Sequence, residues 1–174
     1  MVSAMRDTLV LTIIGPDRTG LVESVSDRIA AAGGNWRESR MARLAGQFAG
    51  ILLVTVASDR TDQLVASLRA LEGAGLRITV QPTAALPATT GARARLEVKG
   101  QDRPGIIRDV SRVLAEGGIN VEELESEVTS AAMSGEHIFS ARVLLFAPVS
   151  ADLGELRARL ERLPGELLVD LVIE

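Results

Sequence analysis

Two six-residue segments hold the residues of this chain best placed to do chemistry: Gly15-Pro16-Asp17-Arg18-Thr19-Gly20 and Gly100-Gln101-Asp102-Arg103-Pro104-Gly105. Each sets a carboxylate and a guanidinium between two glycines, after an alternating apolar run and before residues at helical spacing. A glycine ending a strand permits a tight turn, and a second one lets another group approach the backbone at the helix start. The first helical N–H groups have no intrahelical partner and lie at the positive end of the helix dipole, which suits a carboxylate or other anion. Pro104 is tolerated there because its missing N–H would have been unpaired in any case. Asp17 and Asp102 have two compatible uses: capping their helices, as Asp commonly does, or facing a ligand. The Gly-x4-Gly-Lys-Ser/Thr pattern of a phosphate loop is absent, and an acidic side chain at the turn repels phosphate. A zwitterion fits better. Its carboxylate would face backbone N–H groups, while its ammonium met Asp17 or Asp102, or the carboxamide of Asn35 or Asn120.

The remaining reactive side chains do not assemble into a catalytic or metal-binding set. His137 is the only histidine and there is no cysteine, so neither a Ser–His–Asp arrangement nor a metal site can be built around it; a loop position is expected. The carboxylates of Glu122, Glu123, Glu125 and Glu127 show no metal-ligand spacing and no acid/base pairing. Trp36 is expected in the core. No catalytic residue, cofactor or metal is expected.

The elements that must position the two turns are themselves duplicated. Residues 9–35 align without a gap on residues 94–120 at an offset of 85, bringing Gly15, Asp17, Arg18, Gly20, Gly33 and Asn35 onto Gly100, Asp102, Arg103, Gly105, Gly118 and Asn120. Leu64, Leu68 and Leu71 then match Leu156, Leu160 and Leu163 at an offset of 92, so the second copy has gained seven residues, placed in the 129–137 stretch. Its Ala131–Gly135 segment reads as a loop. Within each copy the apolar period changes in a fixed order. Leu9–Ile14 alternates as a strand, and Leu21, Val22, Val25 and Ile29 recur as a helix stopped by Gly33-Gly34. Trp36–Leu44 and Phe48–Ala57 are strand-like, Leu64–Leu71 is helical, and Leu76–Val80 closes the unit as a strand. The second copy repeats the order through Leu96–Val98, Ile106–Leu114, Val121–Val128, Ile138–Phe146, Leu153–Leu163 and Leu167–Ile173. The expected fold is α+β: two ferredoxin-like βαββαβ domains in tandem, each an antiparallel sheet with helices on one face. Their bounds are 7–82 and 93–174, with the Pro/Ala/Thr-rich stretch 83–92 as linker.

Composition narrows the function classes. Apolar residues make up 47% of the 174-residue chain and charged residues 24%, the range of a soluble globular protein. With only 2% aromatic residues, the core must be aliphatic. Net charge is −4; dividing at residue 88 gives +1 for the first part and −5 for the second. Neither has the basic surplus of a protein that neutralises phosphates, so direct nucleic-acid binding is not expected. No apolar run approaches the ~18 residues of a membrane span, and no signal sequence is evident. A cytoplasmic location is the default expectation, with no membrane partner.

The βαββαβ order, the Asp-Arg-x-Gly-[Leu/Ile] turn and the Gly-[Gly/Ile]-Asn after the first helix resemble the ACT domain, a regulatory module that binds amino acids. The resemblance covers nearly the whole chain, twice. As a tandem pair with no attached enzyme, it resembles the glycine cleavage system transcriptional repressor group. The resemblance implies a ligand between the first turn of one copy and the second strand of its neighbour. It therefore implicates Asp17, Arg18, Gly20 and Asn35, with Asp102, Arg103, Gly105 and Asn120. Many amino-acid-binding turns of that kind carry Asn where this chain has Asp17 and Asp102. The function so implied is a non-catalytic, amino-acid-responsive regulator acting through a protein partner such as a transcription factor, with room for a homodimer. The rivals are a small enzyme using the turn carboxylates and a ligand-free interaction module.

Overall fold

The computed structural model describes residues 5–84, 90–130 and 135–174. The chain divides into two compact units, Met1–Leu86 and Pro87–Glu174. The first runs β1 (Arg6–Pro16), α1 (Leu21–Ala31), β2 (Asn35–Leu44), β3 (Gln47–Ala57), α2 (Thr61–Arg69) and β4 (Arg77–Pro82). The second repeats this as β5 (Gly91–Gln101), α3 (Ile106–Glu116), β6 (Asn120–Ser130), β7 (His137–Pro148), α4 (Leu153–Glu161) and β8 (Leu168–Ile173). Each unit is a four-stranded antiparallel sheet, ordered β2-β3-β1-β4 and β6-β7-β5-β8. The expected α+β architecture and βαββαβ element order are therefore present in both copies.

Alternation along the central strands decides which face takes the helices. Leu9, Leu11 and Ile13 of β1 and Leu52, Val54 and Val56 of β3 are buried against Leu21, Val25 and Ile29 of α1 and Leu64 and Leu68 of α2. In the second unit Ala94, Leu96 and Val98 with Val143 and Leu145 meet Ile106, Val110, Leu114, Leu156 and Leu160. Each fully buried aliphatic side chain contributes about 1.5–3 kcal/mol relative to exposure, so these central pairs fix the register and, with it, the height of the turns above the sheet. Trp36 packs against the first core, as expected.

The edge strands carry a second trace of the duplication. β2 bulges between Trp36 and Glu38, and β6 bulges at the matching place between Val121 and Glu123. A bulge twists an edge and interrupts its free hydrogen-bonding row, which discourages stray strand pairing. Register also refines the insertion. Ile51 faces Thr12 as Arg142 faces Glu97, an offset of 91 against 85. Six of the seven extra residues thus precede β7 and the seventh falls between β7 and α4, rather than all lying before residue 138. Residues 131–134 of the expected loop lie outside the described residues. His137, expected in a loop, is the first residue of β7, paired with Ser130. β5 begins at Gly91, because Gly91 and Ala92 continue the ladder opposite Pro148 and Ala147.

Candidate functional site

Both Asp-Arg turns sit where a central strand hands over to a helix, and packing explains their outer glycines. A Cβ on Gly15 would lie 2.7 Å from the Gly75 carbonyl oxygen, and one on Gly100 would lie 2.7 Å from Leu167 Cδ2. The strand end is thus pressed onto the turn that follows the unit's second helix. The inner glycines, Gly20 and Gly105, are the helix N-caps, with φ of 85° and 89° in the left-handed region that disfavours a side chain. Neither helix start receives a side-chain cap. The capping use open to Asp17 and Asp102 is therefore not realised, because glycine occupies the cap position three residues further on. By contrast, α4 is capped conventionally, the Glu155 amide donating to Asp152 Oδ1 at 2.9 Å. The backbones of the two turns are fastened alike. The Asp17 amide donates to the Gly46 carbonyl at 2.9 Å and the Asp102 amide to the His137 carbonyl at 2.8 Å.

The side chains are fastened in opposite ways. In the first turn the carboxylate is engaged, Asp17 Oδ2 lying 3.5 Å from Arg43 Nη1 at the end of β2, while Arg18 is exposed. In the second turn the guanidinium is engaged. Arg103 Nε and Nη2 donate to the Pro164 carbonyl at 3.1 and 2.9 Å, and Nη1 donates to Asp109 Oδ2 at 2.9 Å. Asp109 is itself 5% exposed and also accepts from Arg108 Nε and Nη2 at 3.2 and 3.1 Å. Hydrogen bonds from Arg103 and then Arg108 hold its carboxyl below the ordinary carboxylate range, against the opposing effect of burial. In the first unit Ser24 takes the position of Asp109 and turns its hydroxyl back onto the Gly20 carbonyl at 2.7 Å.

Asn35 and Asn120 are exposed first residues of β2 and β6. Asn35 stands opposite Thr55, which faces Thr8, while the Asp17 turn follows Pro16. Eight residues at about 3.4 Å each put Asn35 about 27 Å along the sheet from that turn. Asn120 is likewise level with Arg93 through Phe146, at the far end of β5 from Asp102. Within a unit, then, Asp, Arg and Gly of each turn come together and the Asn does not. Among the described residues no group of three or more His, Asp or Glu side chains could hold a metal ion, and no helix is long and apolar enough to cross a membrane.

A family model of the ACT domain matches residues 7–81, and another matches residues 94–165. The chain belongs to the ACT-domain family. It is a tandem ACT-domain protein, 27% identical over 166 residues to the glycine cleavage system transcriptional repressor of Escherichia coli (strain K12), a match covering 91% of this chain and 85% of that one. One ACT domain's length, 83 residues, is 32% identical to the UPF0237 protein MK1213 of Methanopyrus kandleri, covering 47% of this chain and 86% of that protein. The crystal structure of an unknown protein from Galdieria sulphuraria superimposes with a TM-score of 0.88 at 28% identity, covering 98% of this chain and 99% of that one. A crystal structure ascribed to a glycine cleavage system transcriptional repressor shares the fold, with a TM-score of 0.71 at 19% identity and 98% and 99% coverage.

Three residues that shape the ACT turns escape a motif search: Arg43, Asp109 and Pro164. Arg43 and Pro164 lie 26 and 61 residues from the side chains they contact. Asp109 left a weak signal, a carboxylate at a buried position of α3 six residues after Arg103, where the first copy has Ser24.

Proposed function

We propose that this protein is a non-catalytic regulator that senses a small zwitterion, an amino acid, and acts through a protein partner. The observation that carries this reading is the pair of turns placing Asp and Arg beside a helix start capped only by glycine. Such a start leaves N–H groups open toward an anion, while Asp17 or Asp102 suits an ammonium group. The homology supports it from a second side: the relative is named as a transcriptional repressor of the glycine cleavage system, which makes glycine the first amino acid to try. Transcriptional control by this chain would be indirect, since its net charge of −4 does not suit a phosphate backbone.

The test is a thermal-shift screen with each of the twenty amino acids at millimolar concentration, repeated on Asp17→Ala and Asp102→Ala. A ligand that binds only the native state raises Tm by mass action, by about 2.7 kcal/mol of stability at a hundredfold excess over Kd. One amino acid or a small related set is expected to raise Tm in the parent protein, with the rise reduced in at least one variant. A flat response to all twenty would defeat the sensor reading and leave a ligand-free interaction module.

A further inference from the structure

We infer that the two turns have divided their work: the second has become a structural clasp, and ligand recognition is left to the first. This rests on the sensor reading above and says which turn performs it. The Arg103 guanidinium spends its donors on the Pro164 carbonyl and on buried Asp109, and its side chain is only 25% exposed. It thereby ties the β5–α3 turn to the loop between α4 and β8. Gly165 belongs to the same device, because a Cβ there would lie 3.0 Å from Arg103 Nε. Withdrawing Arg103 toward a ligand would strand a buried carboxylate and a carbonyl, a costly exchange.

The first turn has none of these commitments. Ser24 offers Arg18 no carboxylate, being a hydroxyl bonded to its own helix, and Arg18 extends into solvent. The neighbouring charges are inverted as well. Glu23 Oε2 lies 3.7 Å from where a Cβ on Gly20 would stand, whereas Arg108 Nη2 lies 3.0 Å from the corresponding Cβ position of Gly105. The first turn therefore presents Glu23, an exposed Arg18 and Asp17, whose one ion pair is the 3.5 Å contact with the exposed Arg43: carboxylates for an ammonium and a guanidinium for a carboxylate. The second keeps Asp102 but sets Arg108 where the first has Glu23. An α-amino acid finds an uncommitted guanidinium in the first set and not in the second, where Arg103 and Arg108 both donate to Asp109.

A reciprocal exchange tests this. Asp109→Ser gives the second copy the first copy's residue, Ser24→Asp does the reverse, and Arg18→Ala and Arg103→Ala remove each guanidinium. Melting and calorimetric titration with glycine, and with every amino acid active in the screen, are measured on the full chain. Asp109→Ser and Arg103→Ala are expected to lower Tm by more than about 4 °C, and Arg18→Ala by less than about 1 °C. Binding is expected at one amino acid per chain, weakened at least tenfold by Arg18→Ala and by Ser24→Asp, which would capture Arg18. If Asp109→Ser fails to fold, Asp109→Asn, which keeps the shape and loses the charge, takes its place. Two ligands per chain, or binding lost in Arg103→Ala with Tm unchanged, would overturn the assignment. If no amino acid binds, the first turn loses its role together with the sensor reading, whereas the melting comparison still decides the clasp.

Discussion

Asp109 is the one charged residue buried among the described residues, and it is surrounded by Arg103, Arg108 and Arg112. Its carboxyl titrates below the ordinary value of 3.8, first because Arg103 and then because Arg108 donates to it. A folded-state value below the unfolded one means that the stabilisation is fully present above about pH 4 and is lost as pH falls through the folded value. Asp7 acts in the same direction, lowered by hydrogen bonds from Thr61 and Ser58. The protein is therefore expected to lose Tm as pH falls below about 4. Asp109→Asn should be less stable than the parent at pH 7 and show a shallower fall over that window, whereas a parallel fall would show that Asp109 carries no linked proton. Residue spacing made the turns legible in the sequence, because glycine, Asp and Arg recur there at one offset. It did not make the clasp legible, because Arg103 and Pro164 meet only once α4 has packed beside α3.

Among elements, the strand-to-helix junction makes two separable demands on glycine. At Gly15 the demand is room: the Gly75 carbonyl oxygen and Leu76 Cδ2 stand 2.7 and 2.9 Å from a Cβ position. At Gly20 it is backbone conformation, φ 85°, with only Glu23 Oε2 nearby at 3.7 Å. Gly15→Ala is thus expected to cost about 1–3 kcal/mol by overpacking, and Gly20→Ala about 1–2 kcal/mol by left-handed strain. Asn tolerates the left-handed region better than Ala, so Gly20→Asn should recover part of the loss and Gly15→Asn none. Urea denaturation of the four variants decides it, and equal recovery at both sites would refute the distinction. The elements themselves were readable, because the duplication gave every strand and helix two independent spellings. Leu9, Leu11 and Ile13 repeat in function as Ala94, Leu96 and Val98, although the individual residues differ. The edge bulges were not readable: extra residues at Arg37 and Glu122 look like ordinary strand members until the ladder with β3 or β7 is traced.

For the whole molecule, the face away from the helices shows charge exchanged in both directions, Val10, Ile14 and Ile51 being replaced by Arg95, Lys99 and Arg142. On the sheet face away from the helices, Arg40 and Ala42 of β2 are replaced by Glu125 and Glu127 of β6, and Thr12 of β1 by Glu97 of β5. The two units have thus diverged on that face while keeping separate aliphatic interiors, one built on Leu9, Leu11, Leu52 and Leu64 and the other on Leu96, Val143, Leu145 and Leu160. A domain of this size buries only a little over about 60% of the surface its unfolded chain exposes, which is marginal but sufficient for many such domains. Among the described residues, each core cluster is made of one unit's own side chains. Fragments 1–86 and 87–174 are therefore expected to fold independently, each unfolding cooperatively with an enthalpy of about 60 kcal/mol near 60 °C. The second fragment alone should lose that transition on Arg103→Ala more readily than the first does on Arg18→Ala, because only its turn is clasped. Scanning calorimetry of the two fragments would show it, and a broad, non-cooperative melt of either parent fragment would mean that its core is not self-sufficient.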